Sequence, residues 1–321
     1  MTERSELPLA ATWFALGERV PASPEAGAPL IFRCFEGEGA HVVTFLGGFP
    51  DGSYGWSRVL PFLPAPEELP RLFIEYVGQG DSDKPKQYAY GGMERADTVE
   101  AQWRDLGVQS TTIVTFDFSS LVAMELLRRE QGRSHPSQGA KIDGVLFING
   151  GLFRDGHSHP VLTTPLLKTP LGRVGTWFAQ RSRFIFGQMM KVLWSKEYDV
   201  SKEEIDQLFD VVTRRNGASF LSAAAGFVDE HKSQRTRWDF KKIYVELRDT
   251  HRFLVVGSEK DPFEYRQIKK ARKRLRKHGL DVRTLPGGHL TTSEHPDKLG
   301  AIIAEFSLPA GPDQTEVHHQ S

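Results

Sequence analysis

Thr111-Thr112-Ile113-Val114-Thr115-Phe116-Asp117-Phe118-Ser119-Ser120-Leu121 is the stretch from which the rest of the chain can be read. A run of β-branched and aromatic residues ends at Asp117, and a helical pattern starts a few residues later. Strand, sharp turn and helix together form the setting of a nucleophile elbow. Such a turn needs small residues two positions before and two after its centre. With Asp117 at the centre these are Thr115 and Ser119. With Ser119 at the centre they are Asp117 and Leu121, and Leu121 is too large. The spacing therefore selects Asp117 over the serines, and aspartate tolerates a left-handed backbone better than most residues. An aspartate ahead of a helix also reads as a cap, and this segment alone leaves both roles open.

Other short apolar runs flank this one: His41–Leu46, Leu72–Tyr76, Gly144–Ile148, Arg252–Val256 and Val282–Leu285. Their length and continuity suit strands buried on both faces, as in a parallel sheet. Arg95–Leu106, Ser120–Glu130 and Glu264–His278 have the spacing of crossover helices. The expected fold is α/β, a doubly wound, mostly parallel sheet formed by residues 1–150 and 246–308. Residues 151–245 break the alternation and read as a helical lid, with Ser201-Lys202-Glu203-Glu204 as a capping box. In such sheets ligands bind at the carboxyl ends of the strands, where the lid is expected. Residues 21–29 read as a loop and residues 309–321 as a disordered tail.

Composition narrows the function. The 321 residues are 39% apolar and 11% aromatic, enough for a sizeable core. Lys+Arg and Asp+Glu are both 41, so no general attraction to nucleic acid is expected. The basic run Lys269–Lys277 reads as the solvated face of a helix, with Ile268, Ala271 and Leu275 inward. A single cysteine, Cys34, excludes an intrachain disulfide and a cysteine-ligated zinc site. Met1–Glu6 is charged and leads into no apolar run of signal length, and no stretch nears the roughly 20 apolar residues of a membrane helix. The expected compartment is the cytoplasm.

Three more strand ends carry chemistry. Gly47-Gly48-Phe49-Pro50 follows His41–Leu46, and the Phe49 and Phe118 N–H groups could converge as an oxyanion hole. Asp261 lies in the loop after Arg252–Val256. His289 lies in Pro286-Gly287-Gly288-His289 after Val282–Leu285. Nucleophile, acid and base then follow in chain order, as in a hydrolase of this architecture.

On these residues the chain resembles the α/β-hydrolases of the epoxide hydrolase and haloalkane dehalogenase group, and within it the mesoderm-specific transcript-like hydrolases. The resembling stretches are Gly48–Tyr54 with Trp56, Gly78–Pro85, Thr115–Leu127, Ile148–Phe153, Asp261-Pro262, and His289 with Glu294-His295-Pro296, within residues 12–308. Three departures stand out. Gly47-Gly48 replaces the family's His-Gly, Thr115–Ser120 replaces its glycine-rich elbow, and of its lid tyrosines Tyr198 is the candidate here.

The resemblance implies a triad of Asp117, Asp261 and His289, with Tyr198 as a possible lid acid. An aspartate that attacks a saturated carbon forms an ester that a histidine-activated water can cleave, whereas a serine would form an inert ether. The expected partner is a small apolar molecule with an electrophilic carbon, and no metal or cofactor is required. Phe118 and Phe49 offer no side-chain donor for a halide, so an epoxide is the preferred substrate. Dehalogenation, ester or lactone hydrolysis, and a catalytically inactive binding protein on the same fold are the alternatives.

Overall fold

The computed structural model describes residues 7–135, 139–158, 169–216 and 227–308. The expected tail, 309–321, lies outside the described residues. The strands are β1 (Glu18–Pro21), β2 (Leu30–Glu36), β3 (His41–Leu46), β4 (Arg71–Ile74), β5 (Ser110–Phe116), β6 (Lys141–Ile148), β7 (Arg252–Ser258) and β8 (Asp281–Leu285). Among the described residues they form one sheet in the order β1-β2-β4-β3-β5-β6-β7-β8. From β4 to β8 every pairing is parallel, and β1 and β2 add an antiparallel edge.

The parallel strands read as unbroken apolar runs because both faces are covered. Successive side chains point to opposite faces. Ile113 of β5 joins Val42, Val145 and Val255 in one core, and its neighbour Val114 joins Val43, Leu146 and Leu254 in the other. The first core is closed by the helices Gly92–Asp105, Ser119–Gln131, Phe240–Leu247 and Tyr265–Leu275. The second is closed by Ala10–Ala15, Pro296–Ser307, Arg183–Met190 and Lys202–Thr213. In the basic helix Tyr265–Leu275, Ile268, Ala271 and Leu275 are buried as its spacing predicts.

The sequence reading does not single out β1 or β2. Of the expected loop 21–29, residues 22–29 turn between them and Pro21 closes β1, but Arg33 interrupts the apolar pattern of β2. Its buried guanidinium is satisfied by Glu18 at 3.0 Å, Gln102 at 2.9 Å and Asp105 at 2.6 Å. A charge inside a strand is tolerated when each donor finds an acceptor.

Between β6 and β7 the described residues form helices and turns and no strand. Ser201 and Glu204 make the predicted capping box, each side chain bonding the other's backbone N–H at 3.1 and 3.0 Å. Three carboxylates of the sheet unit, two of them buried, hold this inserted segment. Asp81 accepts from Arg214 and Arg215. Glu294 accepts from Ser195 N–H and Oγ–H. Glu125 accepts from Arg237 and Trp238.

Candidate active site

β5 delivers Asp117 directly into a left-handed residue, φ 55°. Its N–H donates to Ile148 O at 3.0 Å, and its carbonyl accepts from Ser120 N–H and Oγ–H. The following helix has no side-chain cap, so Asp117 does not serve as one. Its carboxylate turns instead toward β3, where Phe49 N–H donates to Oδ2 at 3.0 Å. The Phe118 N–H lies close enough to favour the charged form of the same carboxylate.

The elbow forms without its usual glycines because the surrounding loops supply the space. A Cβ on Gly48 would lie 2.5 Å from Asp117 Cβ, and one on Gly150 only 1.8 Å from Ser120 Oγ. Ser119 is enlisted rather than excluded. Its hydroxyl donates to Gly47 O at 2.5 Å, so its one proton is committed, and it accepts from Tyr76 O–H at 3.1 Å.

The structure brings His289 and Asp261 to the same edge. His289 Nδ1 lies 2.9 Å from Asp261 Oδ2, and Nε2 lies 3.8 Å from Asp117 Oδ1. All three are buried. The second oxygen of Asp261 is held by the Phe263 and Glu264 N–H groups at 2.8 and 3.1 Å. These bonds fix the carboxylate that orients the imidazole. Burial pushes the His289 pKa down, but the charges of Asp261 and Asp117 outweigh it and hold it at about 9. Burial pushes Asp117 up, opposed by His289 and the Phe49 N–H.

The inserted helices reach this loop. His289 N–H and Leu290 N–H both donate to Leu193 O, at 2.8 and 3.2 Å. Tyr198 is engaged elsewhere than the sequence suggests. Its hydroxyl donates to Glu204 Oε1 at 2.5 Å and accepts from Arg58 at 3.1 Å. Burial, then that bond to Glu204, pushes its pKa up to about 12. The phenol is thus an anchor of the inserted helices, its proton spent on a carboxylate. Tyr244, the other tyrosine between 151 and 245, donates to His278 O at 3.0 Å.

The chain matches the model of the alpha/beta hydrolase family over residues 45–302. It belongs to that family. It is 29% identical to the mesoderm-specific transcript protein of Mus musculus over 203 residues, 61% of this chain and 58% of that protein. The chain thus spans less than two thirds of that relative. A haloalkane dehalogenase of Sphingobium indicum is 32% identical over 98 residues, 28% of this chain and 31% of that enzyme. The crystal structure of haloalkane dehalogenase DbeA from Bradyrhizobium elkani superposes with a TM-score of 0.69 at 19% identity, covering 90% of this chain and 96% of that one. The fold of this hydrolase is therefore shared with those enzymes.

Several site residues escape a reading of the sequence. Asn149, also left-handed at φ 45°, joins the His289 and β7 loops. Asp51 is a buried carboxyl close enough to His289 and Asp117 to feel both, and burial pushes it up to about 7. Gln79 donates to Gly48 O at 2.8 Å and so holds the loop of Phe49. All three lie within the resembling stretches, but no feature of the sequence singles them out from their neighbours. Among the described residues no cluster of histidine, cysteine and carboxylate side chains is arranged to hold a metal, and no helix is long and apolar enough to cross a membrane.

Proposed function

We propose that this α/β-hydrolase opens epoxides through an ester on Asp117. One observation carries the reading: the two carboxylate oxygens of Asp117 have different surroundings. Oδ2 is held by backbone N–H, while Oδ1 faces His289. Oδ1 is then the attacking atom and Oδ2 the future carbonyl oxygen, already seated where an oxyanion develops.

In the first step Oδ1 bonds to an epoxide carbon and the carbon–oxygen bond of the ring breaks. The ring oxygen takes a proton, and His289 is the donor the described residues offer. It carries a proton at neutral pH and stands 3.8 Å from the attacking oxygen. In the second step neutral His289 takes a proton from water, whose oxygen bonds to Cγ of Asp117. The charge on Oδ2 is stabilised by the Phe49 and Phe118 N–H groups. The Cγ–Oδ1 bond breaks, the leaving alkoxide takes the proton of the newly added hydroxyl, Asp117 returns to a carboxylate, Asp261 steadies the imidazolium, and the diol departs. The helices of 151–245 form the lid over this edge.

An epoxide is favoured over a halide because a departing halide needs side-chain N–H donors beside the nucleophile. Phe118 offers none, and its ring is buried under Arg95. The test is the intact mass of the parent protein, acid-quenched within a single turnover of a panel of epoxides and haloalkanes, because His289→Gln would remove the acid of the first step together with the base of the second. The quench should catch the ester as an adduct of the whole epoxide mass on Asp117. Adducts from haloalkanes alone would reassign the leaving group, and no adduct from either would favour a binding protein.

A further inference from the structure

Arg95 sits on the inner side of the helix Gly92–Asp105 and is only 4% exposed. The other buried arginines are paired: Arg33 with Glu18 and Asp105, Arg58 with Glu204, Arg71 with Glu36. Arg95 has no such partner among the described residues. Its Nε and Nη2 atoms are buried without a hydrogen bond. A guanidinium left this way is costly, and burial pulls its pKa down. Its face is covered by the Phe118 ring at 4.3 Å and the Tyr76 ring at 5.6 Å, which offsets part of that cost. Glu230 acts on it through space, but the Glu230 carboxylate is bonded to Gly92 N–H at 2.7 Å.

The two unpartnered atoms share one edge of the guanidinium. The Nε–H and one Nη2–H project from that edge in parallel, and this fork fits the two oxygens of a carboxylate. The residue beneath it, Phe118, directly follows Asp117, and the Asp117 charge acts on Arg95 through space. The guanidinium therefore lies close to the candidate site.

We infer that Arg95 receives a carboxylate of the substrate, so that the hydrolase acts on anionic molecules bearing both a carboxylate and the electrophilic carbon. The inference rests on the epoxide reading for the second group and on Arg95 alone for the first. The positive charge also offsets the repulsion between an anionic substrate and Asp117. A neutral side chain here would forfeit both effects.

The test separates the two parts. Binding of phenylacetate and 3-phenylpropionate is compared by calorimetry with binding of their neutral amides, which match them in shape. The parent should prefer the carboxylates by on the order of tenfold or more, a charge-assisted bidentate pair against a neutral one. Arg95→Gln should erase that preference, and Arg95→Lys should keep part of it. Equal affinities in the parent, no binding of either class, or an equal loss of both in Arg95→Gln would overturn the inference. The parent's own preference is decisive if Arg95→Gln does not fold. In parallel, the parent is exposed to phenylglycidate and to styrene oxide and acid-quenched within one turnover. A carboxylate preference without any adduct would sink the Asp117 chemistry and leave Arg95 standing. Adducts that form equally from both epoxides would do the reverse.

Discussion

The side-chain amide of Asn149 donates to the backbone carbonyl of His289 at 2.7 Å. The same amide donates to Ser258 Oγ at 3.0 Å and accepts from Ser258 N–H at 2.7 Å. One residue at the end of β6 thus ties the loop of His289 to the strand that leads to Asp261. Asn149→Ala would leave a buried N–H unpaired and place alanine at positive φ. The expected cost is about 2–4 kcal/mol of stability, together with slower ester cleavage, because His289 loses its seat. Thermal unfolding and the decay rate of the ester are the measurements. Unfolding at the parent's temperature would mean that the three bonds contribute nothing.

The oxygen that enters the product distinguishes an aspartyl ester from direct attack by water. In a single turnover in labelled water the diol should carry no label, because its new oxygen comes from Asp117 Oδ1. The label should appear in the Asp117 carboxylate, found by peptide mass, and in the diol only from later turnovers. Label in the first product would replace the ester mechanism by general-base catalysis.

Tyr198 invites a different expectation from the one its residue type suggests. Its hydroxyl serves Glu204 and Arg58, so Tyr198→Phe should lower stability by about 1–2 kcal/mol. Formation of the ester from an epoxide should change less than threefold, well below the roughly hundredfold loss expected for a transition-state donor. Parallel measurement of unfolding and pre-steady-state alkylation decides. A large loss of alkylation with unchanged stability would return Tyr198 to the chemistry.

His289 should titrate in two different ranges. In the resting protein the charges of Asp261 and Asp117 hold it at about 9. Ester formation neutralises Asp117, and the imidazole should then release its proton more readily, as the second step requires. Asp117→Asn imitates that neutral state, so its His289 midpoint in an NMR titration should fall below the parent's. The sign for stability follows. A histidine raised above its unfolded value of about 6.5 stabilises the fold fully below that pH. That contribution is lost as the pH rises through about 9. An unchanged midpoint in Asp117→Asn would mean that Asp117 does not influence the base.

Why these features differ in legibility is a matter of range. Asp117 could be selected from its neighbours because an elbow constrains residues two places away, and strand ends order Asp261 and His289 behind it. The strand β2 was hidden because Arg33 finds its acceptors on β1 and on a helix about 70 residues along the chain. Tyr198 is recognisable as a lid phenol, but its direction depends on Arg58, 140 residues earlier. Arg95 and Asp51 look like ordinary surface charges in the sequence. Only the packing of distant aromatic and loop residues around them makes them buried.

Asp51 provides the last expectation, since burial raises its pKa from 3.8 to about 7 with no paired cation to restore it. Below about pH 4 the carboxyl is neutral in both folded and unfolded chains and costs nothing. Between about pH 4 and 7 the unfolded chain ionises while the folded one holds its proton, so stability falls as pH rises. Above about 7 the folded carboxyl ionises too, and the cost levels off on the order of a few kcal/mol. Asp51→Asn keeps the shape and removes the ionisation. Its advantage over the parent should be near zero at pH 4, grow to pH 7 and then stay flat. Glu75, also pushed up to about 7 by burial, acts on Asp51 through space, so Asp51→Asn also eases the Glu75 ionisation and adds to the same rise between about pH 4 and 7. Denaturant unfolding of the pair from pH 4 to 9 gives the curve. A stability difference that did not vary with pH would place Asp51 at its ordinary carboxylate value and remove it from the charge balance around His289.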